Sequence, residues 1–198
     1  MMRLIDVSFS VGLLILLSPV LLLIALLVKR SSPGPIVFRQ QRIGSDGQLF
    51  DVLKFRSMCD GTDLQLLADP ELRRQYEKNN FKLQADDPRI TPVGRVIRKT
   101  SFDELPQLFN VLRGEMSLVG VRPLLARELA LRSPYDQELY MQHTPGLTGL
   151  WQVEGRSSVG DDDRIELDRR FLETWSPQQN LGLLARTPRA VLLGVGAH

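Results

Sequence analysis

Asp103 and Glu104 are adjacent carboxylates in the stretch SFDELPQLFNVLRGEMSLVG, at the start of a segment whose pattern predicts a short helix over 104–112. If Asp103 is the N-cap, Pro106 falls at the third helical position, where its missing N–H costs nothing. The positive end of a helix dipole keeps a carboxylate ionised and also attracts phosphate. An ionised carboxylate can act as a nucleophile. Two adjacent ones can share a hard cation such as Mg2+, which keeps several waters and takes one or two carboxylates plus substrate phosphates. The chemistry indicated is phosphate chemistry. On spacing alone a plainer reading competes with it, in which Asp103 merely caps a helix and Glu104 benefits from its dipole.

The cations around the pair favour the chemical reading. Arg98 lies five residues upstream, Arg113 ends the short helix, and Arg122 and Arg156 follow predicted turns. Arginine presents a rigid fork that matches phosphate. The rest of the composition narrows the chemistry. Cys59 is the only cysteine, which excludes an intramolecular disulfide, and His143 and His198 are too few for a Cys–His metal cluster. GRSSVG at 155–160 lacks the lysine of a phosphate-binding loop and the spacing of a dinucleotide fingerprint. A net charge of +2 and the absence of a recognisable nucleic-acid motif point away from DNA and RNA. The basic residues cluster at Lys29–Arg30 and at Arg89, Arg95, Arg98 and Lys99, which suits anionic lipid headgroups or phosphorylated substrates.

The elements that position these residues begin with an apolar segment. Val7 to Val28 holds 22 residues without a formal charge, about 33 Å as a straight helix and enough to cross a bilayer. Ser18-Pro19 stands near its midpoint. The proline removes one helical hydrogen bond, and the serine hydroxyl can satisfy the freed carbonyl where water is absent. A crossing helix would strand one basic flank, Arg3 or Lys29–Arg30, on the wrong side; a bent, re-entrant helix keeps both at the cytoplasmic face. Beyond the Ser31–Pro35 loop, residues 36–42 and 48–55 read as two strands joined by Ser45-Asp46-Gly47, a hairpin that ends near Lys54 and Arg56. Helices are expected over 64–78, 93–99, 123–141 (interrupted near Pro134), 161–174 and 178–194, with a further strand at 150–153. The expected fold class is α+β: residues 1–30 as a re-entrant membrane helix, with a crossing helix as the alternative because transmembrane helices often carry a proline and still cross, and 31–198 as a compact, mostly helical catalytic domain with a small hairpin and interfacial amphipathic helices.

SFDELPQLFNVLRGEMSLVGVRPL, HTPGLTGLWQVEGRS and IELDRRFLETWS together resemble the bacterial sugar transferase family, the monotopic polyprenyl-phosphate phosphoglycosyl transferases, and the resemblance covers essentially the whole chain. It implies transfer of a sugar 1-phosphate from a UDP-sugar to undecaprenyl phosphate, with release of UMP. By motif match, Asp103 is the expected nucleophile, forming a covalent phosphosugar–aspartyl intermediate. Glu104 is expected to bind or orient Mg2+, so that Asp103 and Glu104 are the metal candidates. Arg98, Arg122, Pro123 and Arg156 are expected to hold the donor, while Lys54 and Arg56 are candidates for lipid phosphate or for local structure. Ser18-Pro19 is the expected re-entrant break. The implied setting is the cytoplasmic face of a bacterial inner membrane, in the first membrane step of polysaccharide assembly, with downstream glycosyltransferases as partners and a homodimer as one assembly state. LTGLWQV resembles hexose-transferring members. The chain departs from the family pattern at Val121, where relatives have proline, at Asn180 and at Arg169-Arg170-Phe171. An inactive membrane-bound scaffold and a nucleotide-binding module without transfer are the alternatives.

Overall fold

The computed structural model describes residues 2–59, 69, 70, 74, 87–154 and 160–192. Arg156 lies outside these residues, as does nearly all of the helix expected over 64–78.

The apolar segment is a single helix, α1 (Met2–Ser31), with Pro19 inside it. Proline at 19 leaves the Ile15 carbonyl without its helical donor. The Ser18 hydroxyl donates to that carbonyl at 2.8 Å, so the serine repairs what the proline removes. Asp6, Ser10, Ile24 and Val28 are buried, and Leu13, Leu14, Val20, Leu21 and Ala25 pack on the rest of the protein. These positions recur at intervals of about three or four, so they form one stripe along the helix. The other side is bare: Leu4, Ile15, Leu16 and Leu22 are each at least 70% exposed. By length and composition α1 could cross a membrane.

Polar ties hold both ends of α1 to the same domain. Near its start, Arg3 donates to the carbonyls of Val111 and Leu112, the latter at 2.8 Å. Asp6 accepts from the Ser117 hydroxyl at 2.8 Å and from the Leu118 N–H at 3.1 Å. Where α1 ends, the Arg56 guanidinium donates to the carbonyls of Val28 (3.1 Å), Ser32 (2.6 Å) and Pro35. A helix leaves its last carbonyls without intrahelical donors; here Arg56 and the Ser31 hydroxyl (2.9 Å) supply the one at Val28, and Arg56 also ties down the loop that follows α1.

The expected hairpin is present. β1 (Val37–Ile43) pairs antiparallel with β2 (Leu49–Phe55), Val37 opposite Phe55 and Ile43 opposite Leu49. Asp46 and Gly47 make the turn with φ of 55° and 71°, a left-handed conformation open to Asp and Gly. After α2 (Pro92–Lys99) come a short 3-10 turn, Phe102–Glu104, and α3 (Gln107–Arg113). Asn110 of α3 is fully buried. Its amide accepts from the Leu53 N–H (3.0 Å) and donates to the Asp51 carbonyl and to Glu115 (2.7 Å each). This fastens α3, with the Asp103–Glu104 turn just before it, to the strand that carries Lys54.

The strand expected at 150–153 is instead a helix, α6 (Leu150–Glu154). The strand lies just before it: β4 (Gly146–Thr148) runs parallel to β3 (Ser117–Val119). Glycine decides the matter. A Cβ on Gly146 would stand 2.0 Å from the Gly120 nitrogen, and one on Gly149 would stand 2.3 Å from the Gly120 oxygen. Only a backbone bare at these places can come that close. The helix expected over 123–141 is two, α4 (Ala126–Ala130) and α5 (Pro134–Met141), with Ser133 capping the second. α7 (Asp161–Glu173) and α8 (Pro177–Leu192) follow.

Leu108, Val111, Met116, Leu118, Val121, Leu124, Tyr140 and Phe171 form the main core, and Ile24, Val28, Phe55 and Ile97 a smaller one beneath the end of α1. Val121 and Phe171 are core residues, Asn180 is buried, and Arg169 pairs with Asp136 at 2.7 Å. The observed class is mixed helix and sheet, as expected.

Candidate active site

Asp103 does not cap α3. It stands inside its own 3-10 turn, entered through Ser101 in the left-handed region (φ 59°). The turn closes through Glu104 N to Ser101 O (3.2 Å) and Leu105 N to Phe102 O (3.3 Å). Pro106 cannot donate the next bond, and α3 starts afresh at Gln107. The predicted continuous helix is thus divided by the proline that was expected to open it.

This turn buries Asp103 to 9% exposure. Burial, and then the neighbouring Glu104 charge, push its carboxyl up to about 6, while Lys54 and Arg98 pull it down. The sign is opposite to what a helix N-terminus alone would give, because lost hydration outweighs the dipole. The carboxyl is still mostly ionised at neutral pH. Glu104 lines a recess and accepts from Lys54 Nζ at 2.7 Å.

The recess is lined by Lys54, Glu104, Arg122, Pro123, Arg42, Gln107, Gly146, Leu147 and Gln152, with Val52 beneath. Four of the residues expected from sequence therefore meet in one place: Lys54, Glu104, Arg122 and Pro123. Arg98 joins them electrostatically through Asp103. Arg56 does not line the recess; its guanidinium is spent on the end of α1, the local-structure alternative of its two expected roles. Ser18 and Pro19 belong to α1 alone.

Three charged side chains escape sequence reasoning. Arg42 on β1 is 6% exposed, and its head lies between Glu128 (3.0 Å), Gln40 (2.7 Å) and the Pro123 carbonyl (3.1 Å). Burial, and next the Arg122 charge, lower it to about 10. Arg132 and Asp168 form a buried pair at 2.6 Å, and burial raises the Asp168 carboxyl to about 6. Apart from Gln40, their partners lie 36 to 86 residues away in the chain, so no local pattern announces them.

The segment that presents Arg122 is clamped atom by atom. The Val121 carbonyl accepts from Gly146 N at 2.8 Å, and the Leu124 carbonyl from Ile43 N at 3.0 Å. The Tyr140 hydroxyl accepts from Leu124 N (3.1 Å) and donates to the Ile43 carbonyl (2.6 Å).

Among the described residues no group of three or more His, Cys, Asp or Glu side chains is gathered to cage a metal. The donor set, Glu104 facing the recess with Asp103 beside it, suits a cation that draws its remaining ligands from water and substrate.

Comparison with known proteins identifies the family. The family model for bacterial sugar transferases matches residues 1–194. The undecaprenyl-phosphate galactose phosphotransferase of Salmonella typhimurium is 45% identical over 200 residues, covering 99% of this chain and 41% of that protein. The exopolysaccharide production protein ExoY of Sinorhizobium fredii is 44% identical, covering 98% of this chain and 86% of that protein. The undecaprenyl-phosphate glucose phosphotransferase of Komagataeibacter xylinus is 43% identical, covering 88% of this chain and 32% of that protein. The chain thus spans well under half of the Salmonella and Komagataeibacter relatives and most of the Sinorhizobium one. With a family match along nearly its whole length and this identity to ExoY, the chain belongs to the bacterial sugar transferase family.

Proposed function

We propose that this protein transfers a sugar 1-phosphate from a UDP-sugar to undecaprenyl phosphate at the cytoplasmic face of the inner membrane, in the first membrane step of polysaccharide assembly. The observation that carries the reading is the buried, ionisable Asp103 beside a recess in which Lys54 and Arg122 outnumber Glu104, Arg42 being paired with Glu128. Such a recess favours a substrate with several negative charges, as a nucleoside diphosphate sugar has. The names of the Salmonella and Komagataeibacter relatives, a galactose and a glucose phosphotransferase, point to a hexose.

In this mechanism the Asp103 carboxylate attacks the β-phosphorus of the donor. The bond to the α-phosphate oxygen breaks, UMP leaves with the electron pair, and the sugar phosphate is held on Asp103. A phosphate oxygen of undecaprenyl phosphate then attacks the same phosphorus and expels the Asp103 carboxylate. The displacement is divided into two easier ones. Arg122 and Lys54 hold the donor phosphates as charge shifts between oxygens, and Arg98 favours the ionised form of Asp103. Glu104, with Asp103, would hold Mg2+, which neutralises charge on the transferring group. Arg156 is assigned to the donor by motif alone.

The ties at both ends of α1 support a re-entrant anchor. Arg3 and Asp6 at one end and Arg56 at the other attach it to one domain. A crossing helix would have to release one set. The bare Leu and Ile side of α1 dips into one leaflet, and exposed Val96, Phe102 and Phe109 flank the site at headgroup level. The test is UMP release by the full chain in nanodiscs with Mg2+, undecaprenyl phosphate and a panel of UDP-sugars. Release with one or more hexose donors is expected; a folded protein that releases none with any donor is a scaffold or binding module instead.

A further inference from the structure

We propose that Arg42 is the positioning residue for Arg122: its guanidinium, held by Gln40 and Glu128, grips the Pro123 carbonyl and so sets where the Arg122 side chain stands in the recess. The inference rests on the reading of Arg122 as a ligand of the donor phosphates.

Four backbone groups of residues 121–124 are clamped from outside the segment. Three of the clamps are backbone groups or a core tyrosine: Gly146 N, Ile43 N and the Tyr140 hydroxyl. Arg42 holds the segment through a charged side chain, and it does so at the residue next to Arg122. Its three partners come from β1, the Pro123 segment and α4, so one planar head joins three elements. The fork geometry matters, since an ammonium on a flexible stem does not present parallel donors to partners in different directions.

Charge adds to the geometry. Glu128, 43% exposed, is the ion-pair partner of Arg42, and its carboxylate also accepts from Leu125 N at 2.7 Å. Arg42 is buried and faces Arg122 across the recess. Two like charges so placed repel. With Arg42 held by three hydrogen bonds, this repulsion bears on Arg122, which is also drawn by the buried Asp168 carboxylate. An anion that enters relieves this repulsion, so the recess is electrostatically prepared for phosphate before it arrives.

The test is a double-mutant cycle on the full chain in nanodiscs, with UDP and Mg2+ as the probe in titration calorimetry. Arg122→Met is expected to weaken UDP binding about tenfold. Arg42→Met should weaken it five- to tenfold, and the double variant should bind no more than twofold more weakly than Arg122→Met alone. Arg42→Lys keeps the charge without the fork and is expected to resemble Arg42→Met. In turnover, Arg42→Met should raise KM for the donor with kcat within about threefold of wild type. Losses that add in the double variant mean that Arg42 acts independently of Arg122 and overturn the proposal, as does full binding by Arg42→Lys. Wild-type UDP binding by Arg122→Met would refute the reading of the recess itself, and the role of Arg42 with it. If Arg42→Met does not fold, Glu128→Ala carries the test. It should weaken binding three- to fivefold in the wild-type background and not at all beside Arg122→Met; an equal loss in both backgrounds overturns the proposal.

Discussion

Replacing Asp103 with asparagine should make the protein more stable while removing its activity. The carboxyl is raised from 3.8 to about 6, first by burial and then by Glu104. A carboxylate with a raised folded-state pKa binds its proton more tightly folded than unfolded. Its stabilising protonation is complete below about pH 4 and is lost as pH rises through 6. The difference corresponds to about 3 kcal/mol at neutral pH. Asparagine carries no charge to desolvate. Asp103→Asn should therefore match wild type near pH 4 and exceed it by up to about 3 kcal/mol at pH 7.5, or roughly 6–12 °C in Tm for a chain of this size. Thermal unfolding of both proteins in nanodiscs, with a chelator present so that no cation offsets the charge, measures the gap at each pH. A variant no more stable than wild type at pH 7.5, or a gap that does not close in acid, would refute the account of Asp103 as a buried charge held at a cost. A structural cap predicts neither, because asparagine caps a helix about as well as aspartate.

The same carboxyl sets an acid limb for turnover. A bound Mg2+ would favour the ionised form, so activity should fall about tenfold per pH unit below a limb that lies under 6; Lys54→Met should move that limb to higher pH, read from kcat/KM profiles, since it removes a charge that lowers the carboxyl. Arg56→Met should destabilise the protein by roughly 3 kcal/mol, because it strips donors from buried carbonyls at the end of α1, yet leave KM for the donor unchanged in protein that folds; a raised KM would restore Arg56 to the phosphate site. Gly146→Ala should cost about 3 kcal/mol or more in denaturant titration, since its methyl would meet the Gly120 nitrogen at 2.0 Å.

Much of the fold was legible because it is local. The hairpin follows from two short apolar strands around Ser45-Asp46-Gly47, and the split of the 123–141 helix from Ser133-Pro134, a cap followed by a residue that cannot continue a helix. Leu150–Glu154 misled for a physical reason: a short apolar run has the same composition as a strand and as a buried helical turn, and the choice was made by three glycines that draw β4 onto β3. The site divides in the same way. Asp103, Glu104, Lys54 and Arg122 were identified by residue type and motif, and all but Asp103 line the recess. The environment of Asp103 was not legible, since its burial comes from packing and the left-handed Ser101 rather than from its neighbours in sequence. Arg42 was missed because Pro123 and Glu128, the far partners that give it meaning, lie 81 and 86 residues away.

The most direct test of the central claim is to incubate the protein with a labelled UDP-hexose and no lipid acceptor, then weigh the intact chain. Wild type should gain the mass of one hexose phosphate, release one UMP per protein, and carry the adduct on the peptide that contains Asp103; Asp103→Asn should gain nothing and release nothing. Turnover by folded Asp103→Asn near the wild-type rate, or an adduct on any other residue, would contradict the covalent mechanism.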